Sequence, residues 1–179
     1  MSSAALRHAL GLFATGVTVV AAIDPLSGEP RGMTANAFMS ASLHPPLIVV
    51  AVRRDAHLHA TLAGAGAYGV SVLPESLERE ARRFAGLPVS DHEPAPQLAL
   101  RASAPILTDA LAWFAARVAA RHEVGDHTLF VGEVVDFGSD DSAAPALAYH
   151  RSAFARVVSA DEHEPLPVDA WGGALDLWG

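Results

Sequence analysis

Gly32-Met33-Thr34-Ala35-Asn36-Ala37-Phe38-Met39-Ser40-Ala41-Ser42-Leu43-His44-Pro45-Pro46-Leu47 alternates small and hydroxylated residues with apolar ones. Its Pro-Pro stop leads at once into the apolar run Leu47-Ile48-Val49-Val50-Ala51-Val52. The alternation predicts a strand presenting backbone amides and short polar groups to a ligand. The prolines predict a bend, and the apolar run predicts a buried strand. Few ligands need so many small polar residues on a rigid sheet edge, and a flat, phosphate-bearing cofactor is one of them.

Upstream of this stretch, residues 16–23 read as a strand rich in Val and Thr. Asp24-Pro25-Leu26-Ser27-Gly28-Glu29-Pro30 is dense in turn residues, so a hairpin into a strand over 31–39 is expected. Ser2 or Ser3 is placed to cap a helix reaching about Phe13, with Leu6, Leu10 and Phe13 on one face. Downstream, 47–52 reads as a central strand, 56–63 as a short helix closed by Gly64 and Gly66, and 68–73 as a strand. Pro74-Glu75-Ser76 opens a helix through about Ala85. Leu77, Ala81 and Phe84 form its apolar stripe, with Glu75, Glu78, Glu80 and Arg79, Arg82, Arg83 on its wet face. Residues 86–99 read as a loop or lid. Strands follow at 100–107, 112–123 and 129–137, with Gly125-Asp126-His127 as the turn between the last two, and a short strand is expected at 153–158. No internal repeat appears, so 1–158 reads as one domain. For the tail 159–179, with Trp171, Leu175 and Trp178, docking on the body, covering a partner and disorder all stand. Strands outnumber helices and occur mostly as neighbours, which favours an antiparallel barrel with outer helices over a parallel doubly wound sheet. No Gly-x-Gly-x-x-Gly follows a strand, so a Rossmann-type nucleotide fold has no support.

Composition narrows the chemistry. With 179 residues, one domain with a substantial core is expected. Hydrophobic residues make up 51%, a surplus that points to surface covered by another subunit. All 12 basic residues are Arg, which excludes a Lys Schiff base and a Walker-type phosphate loop. The absence of Cys excludes disulfides, thiolate metal sites and thiol nucleophiles. A net charge of -8 argues against nucleic-acid partners. Arg7-His8 followed by residues 10–23 imitates a signal peptide, but Thr15, Gly16 and Thr18 interrupt the run and Asp24-Pro25 ends it as a turn. No run reaches the roughly 18 apolar residues of a membrane span, so no membrane association and a cytoplasmic location are expected.

The order of segments resembles the short-chain flavin reductase family, the small reductase components of two-component flavin monooxygenases. The resemblance rests on Phe13-Ala14-Thr15-Gly16-Val17-Thr18-Val19-Val20, on 32–38 with Ser40-x-Ser42-x-x-Pro45-Pro46, and on Tyr68-Gly69-Val70-Ser71-Val72-Leu73. It continues through Ala81-Arg82-Arg83-Phe84-Ala85-Gly86, residues 125–134 beginning Gly125-Asp126-His127, and Tyr149-His150-Arg151. It covers about residues 5–157 in one order. What it implies is a mainly β, flavin-binding split β-barrel of antiparallel Greek-key type with short outer helices, usually a homodimer with flavin near the subunit interface. The implied activity is hydride transfer from NADH or NADPH to FMN or FAD, with reduced flavin passed to a partner monooxygenase.

In such an enzyme the cofactors carry the electronic work, and the protein stacks two flat rings in register. Met33, Thr34, Ala35, Asn36 and Ala37 suit the isoalloxazine edge, because small side chains permit close approach and Asn36 both donates and accepts. Ser40, Ala41 and Ser42 are assigned to the ribityl chain or a phosphate. For the phosphate, Arg53, His57 and the amides near Ala56 are candidates. Here Ala56 and Leu58 replace the family's usual hydroxyls, and Asp55 would repel a phosphate unless it only caps the helix. Arg82, Arg83 and Phe84 are candidates for phosphate or adenine, with a solvated helix face and a core Phe as the equal alternative. The family's motif places His127 close to nicotinamide and flavin, in a positioning role rather than as a general acid, with Tyr149 and Arg151 as further nicotinamide-side candidates. Rival readings are a flavin-binding module without turnover and a scaffold that has lost flavin. His57-x-His59, with His44 or His150, is a metal reading without cysteines or a helical i, i+4 pair behind it. A hydrolase triad lacks a Gly-x-Ser-x-Gly elbow.

Overall fold

The computed structural model describes residues 2–90, 95–140 and 144–157; the tail expected from 159 lies outside them. Its strands are β1 (Thr15–Gly16), β2 (Thr18–Ile23), β3 (Pro30–Ala35), β4 (Phe38–Leu43), β5 (Pro46–Arg53), β6 (Ala67–Val72), β7 (Leu98–Arg101), β8 (Ala104–Leu107), β9 (Ala112–Val124), β10 (His127–Ser139), β11 (Leu147–His150) and β12 (Ala153–Arg156). The helices are α1 (Ser3–Leu10), α2 (His57–Gly64) and α3 (Glu78–Phe84). Among the described residues one antiparallel sheet has the order β3-β2-β6-β9-β10-β5-β4, and β1-β11-β12 and β7-β8 form two smaller sheets. The large sheet's two edges, β3 and β4, are consecutive in the chain with only Asn36-Ala37 between them. Three Cα–Cα steps span at most about 11 Å, so the sheet must curl until its edges nearly meet. The result is the mainly β, antiparallel split barrel with outer helices that the sequence led us to expect, opened along the β3–β4 seam.

β2 shows why its apolar run is unbroken. Val20 and Ala22 face the barrel interior with Val50, Val52, Tyr68, Val70 and Phe130. Val17, just before β2, and Val19 instead face a second core with Leu73, Ala81, Leu107 and Leu147. A strand with both faces covered needs no polar side. The hairpin after β2 also forms as its composition predicts. Asp24 Oδ1 accepts the Leu26 amide at 3.0 Å, and Oδ2 accepts Arg31 Nε at 2.8 Å. The Leu26 amide first, and then Arg31, hold the Asp24 carboxyl below its ordinary value.

Several elements differ from expectation. The strand expected over 31–39 is broken at Asn36-Ala37, because its halves are opposite edges of the sheet. Residues 100–107 belong to a hairpin, β7–β8, turned by Ala102 and Ser103 at φ 44° and 70°. Non-Gly residues rarely take that conformation, so composition does not announce it. Glu75–Leu77 is a 3₁₀ turn preceding α3. Its three-residue period shifts the phase of the helix, and Glu80, expected on the wet face, is buried beside Arg79. In α1 no residue is buried, and Leu6, Leu10 and Phe13 are exposed in the single chain; Ser2 occupies the N-cap without a side-chain bond.

Tyr68 crosses the barrel interior, fully buried, and its hydroxyl donates to Phe130 O at 3.2 Å. Tyr68→Phe is expected to lower stability by about 1 kcal/mol at neutral pH in a denaturant titration. Burial pushes the phenol well above its ordinary value of 10.0. The stabilisation is therefore complete below that value and is lost as pH rises beyond it, when only the unfolded chain ionises readily. In Tyr68→Phe that alkaline loss should flatten.

Candidate functional site

A cleft of ≈ 580 Å³ opens beside the β3–β4 seam. One wall is the end of β3 and the step after it: Met33, Thr34, Ala35, Asn36 and Ala37. The opposite wall is the end of β5 and the start of α2, with Ala51, Arg53, Asp55, Ala56 and His57. Phe84 and Ala85 close one side, and His127 stands at the start of β10. Ten of the residues singled out in the sequence thus share one concave surface, although they come from segments up to 94 positions apart (33 to 127). The cleft is lined repeatedly by alanine, which leaves room for a flat ring to approach the backbone closely.

His127 is the first residue of β10, not part of the turn. Gly125, at φ 59°, and Asp126 make a two-residue connection that pairs His127 with Val124. On its other side His127 pairs in register with Arg53 of β5. Strand geometry therefore fixes its direction, which a turn would have left loose. Its Nδ1 lies 2.7 Å from Asp126 Oδ1. The His127 hydrogen bond first, with Arg53 adding to it, holds the Asp126 carboxyl below its ordinary value.

The 53–57 loop resolves the expected repulsion differently from a capping carboxylate. Ala56 is the N-cap of α2 with no side-chain bond, and Asp55 instead pairs with Arg53. The carboxylate is neutralised. The His59 amide bonds to Ala56 O at 2.9 Å, and the two amides before it, of His57 and Leu58, start the helix at the cleft wall, where helix geometry gives them no intrahelical partner. His57 Nε2 lies 3.4 Å from Gly32 O, while His59 Nε2 lies 2.9 Å from Thr128 Oγ1. The two imidazoles thus serve different neighbours. Among the described residues no group of three metal-ligating side chains converges.

Thr34 has a second task. Its hydroxyl donates to Ala81 O at 2.5 Å and so pins α3 against β3; toward the cleft it offers only lone pairs. A second cleft of ≈ 470 Å³ shares Thr34, Asn36 and Ala85 with the first, and adds Arg82, Tyr149 and Phe154. Arg82 pairs with Glu78 at 2.7 Å, and its guanidinium lies 5.3 Å from the Phe154 ring centroid; Tyr149 meets Phe154 edge-on at 5.7 Å.

Five candidates fall elsewhere. Ser40 and Ser42 line a separate apolar groove with Phe38, Leu43, Leu47 and Phe137. Ala41 is the exposed extra residue where the β4–β5 register shifts. Arg151 sits in the β11–β12 turn at φ 51°, its amide bonded to Gly11 O at 2.7 Å, and lines neither cleft. Arg83 lines neither cleft as well; its neighbour Arg82 takes the cleft-facing place because α3 is phased by the preceding 3₁₀ turn. Among the lining residues not foreseen, Ala51, Ala85 and Phe154 are small or aromatic side chains with no polar signal to mark them.

Comparison with known proteins gives this arrangement its context. Residues 10–157 match the flavin reductase like domain. The chain is 39% identical over 145 residues to the NADH-dependent flavin reductase StyB of Pseudomonas fluorescens, covering 81% of this chain and 84% of that protein. It is 42% identical over 156 residues to the reductase component of 4-hydroxyphenylacetate 3-monooxygenase of Thermus thermophilus, covering 86% and 96%. Among solved structures it is similar to the NADH:FAD oxidoreductase SgcE6 of Streptomyces globisporus, in complex with NAD and FAD fragments. That TM-score is 0.78 at 36% identity, covering 88% of this chain and 93% of that one. With the match spanning the whole barrel and both walls of the cleft, this chain belongs to the flavin reductase family.

Proposed function

We propose that this chain is an NADH-dependent flavin reductase that supplies reduced flavin to a partner monooxygenase. The observation carrying this reading is the single cleft in which residues 33–37, 53–57 and 127 meet, in a chain whose relatives are named as such reductases and reductase components. Flavin, when bound, supplies the N5 acceptor for hydride from reduced nicotinamide. The backbone and small side chains of 33–37 hold the ring edge, with Asn36 donating and accepting. Arg53, His57 and the first-turn amides of α2 hold the phosphate. His127 stands on the nicotinamide side and positions that ring. The adjoining cleft with Tyr149 and Phe154 gives the added length a dinucleotide needs.

The test is anaerobic: mix the protein with NADH or NADPH and FMN, then FAD, and follow bleaching of the flavin. Fast bleaching with NADH is the expected result, and the faster flavin names the preferred cofactor. Bleaching absent while fluorescence quenching reports bound flavin would replace the reading with a non-reductase flavin protein. Absence of both would mean the altered 53–59 loop takes another ligand. A cytoplasmic location goes with the reading, since the reduced nicotinamide it consumes is a cytoplasmic metabolite.

The same reading includes a homodimer. The apolar groove holding Ser40 and Ser42 continues into exposed Phe137 and Leu43, 69% and 49% accessible, and a second copy is the occupant we assign to it. Phe137→Asp is expected to raise the dimer dissociation constant roughly 100-fold, because a central aromatic becomes a buried charge twice per interface. Sedimentation velocity that finds wild type monomeric at micromolar concentration would reject this assignment.

A further inference from the structure

The geometry points to Asp126 as a positioning residue that fixes the proton of His127 on Nδ1, so that Nε2 meets the cleft as a hydrogen-bond acceptor for a ligand N–H. This rests on the reading that places nicotinamide beside His127. An ionised carboxylate can only accept, and Asp126 Oδ1 lies 2.7 Å from Nδ1, so Nδ1 must be the donor in that contact. The lowered value of the Asp126 carboxyl keeps it ionised at neutral pH. In neutral imidazole one nitrogen carries the proton and the other accepts, and the bond made by one decides the state of the other.

The pair is held from both sides. Asp126 O accepts the Arg54 amide at 3.0 Å, which ties the turn to the end of β5. Arg53, across the strand pair from His127, adds its charge near Asp126 while pairing with Asp55. His127 itself lines the cleft. A group whose cleft-side nitrogen accepts suits the amide N–H of a nicotinamide carboxamide. It does not suit a carbonyl oxygen at the same place. Selection falls on the NH₂ half of the carboxamide, and ring orientation over the flavin follows from it.

Two measurements test this. The first is ¹⁵N NMR of the imidazole region at neutral pH, with His127 assigned by comparison with His127→Gln. Wild type is expected to show the Nδ1–H tautomer at His127, and Asp126→Ala to shift it toward Nε2–H, the form that free imidazole side chains favour. Asp126→Asn, whose side-chain oxygen still accepts, should restore much of the wild-type signal. The second compares kcat/KM for NADH with that for reduced 3-acetylpyridine adenine dinucleotide, which keeps the carbonyl but lacks the N–H. The ratio should fall about fivefold in both Asp126→Ala and His127→Ala, the effect of one neutral hydrogen bond, and recover in Asp126→Asn. A wild-type Nε2–H tautomer overturns the inference. So does an unchanged ratio in Asp126→Ala beside a lowered one in His127→Ala, which leaves the nicotinamide-side reading of His127 standing. An unchanged ratio and unchanged turnover in His127→Ala would reject that underlying reading itself.

Discussion

Gly69→Ala is expected to leave almost no folded protein, or a fold melting roughly 10 °C or more below wild type. Gly69 lies in β6, buried between β2 and β9. A Cβ there would sit 2.1 Å from Pro105 O, 2.9 Å from Ile106 Cγ2 and 3.0 Å from Pro105 C. The nearest obstacle is backbone, not the end of a flexible side chain. Relief would require moving the β7–β8 hairpin off the large sheet, and with it Ile106 and Leu107 from buried positions. Overpacking of this kind belongs with the mutations costing more than about 4 kcal/mol. Gly66→Ala is the matched control: a Cβ at Gly66 meets nothing within 4 Å, and its melting temperature should stay close to wild type. Equal melting of the two variants would show that β8 does not press on β6 in solution.

His127→Ala is expected to lower kcat/KM for NADH at least tenfold, with the melting temperature nearly unchanged. The side chain is 38% exposed and bonds only to an exposed carboxylate, so little stability depends on it. Its contribution is instead to the cleft, where misplacing a reacting atom by an ångström is costly. The split of the effect is informative. A rise in KM with kcat intact would mean the contact is made equally before and during hydride transfer. An equal fall in kcat and kcat/KM would mean that it is made only at the transition state. Wild-type kinetics in His127→Ala would remove the residue from the site.

Much of the site was legible because its chemistry is local. Residues 33–37 announce themselves by small size and alternating polarity, the 53–57 loop by charge next to a helix start, and His127 by its Gly-Asp turn and its family motif. Ser40 and Ser42 carried the same local signal and went to a different groove. The reason is the break at Asn36-Ala37: the residues before it belong to one edge of the sheet and those after it to the other. Alternation within a strand cannot say which edge that strand will form. Arg82 and Arg83 make a similar case, since a 3₁₀ turn upstream decided which of the two faces the cleft.

By itself, then, the amino-acid order determined the class of fold, the segment composition of the cleft and the residue types available for chemistry. Periodicity, turn residues and side-chain size are properties of a few neighbours and survive without a partner segment. The curling of the sheet, the bond from Thr34 to Ala81 O and the register of His127 opposite Arg53 were decided only in three dimensions. Each depends on contact between residues far apart in the chain, and the energy that selects them exists only once the distant segments have packed.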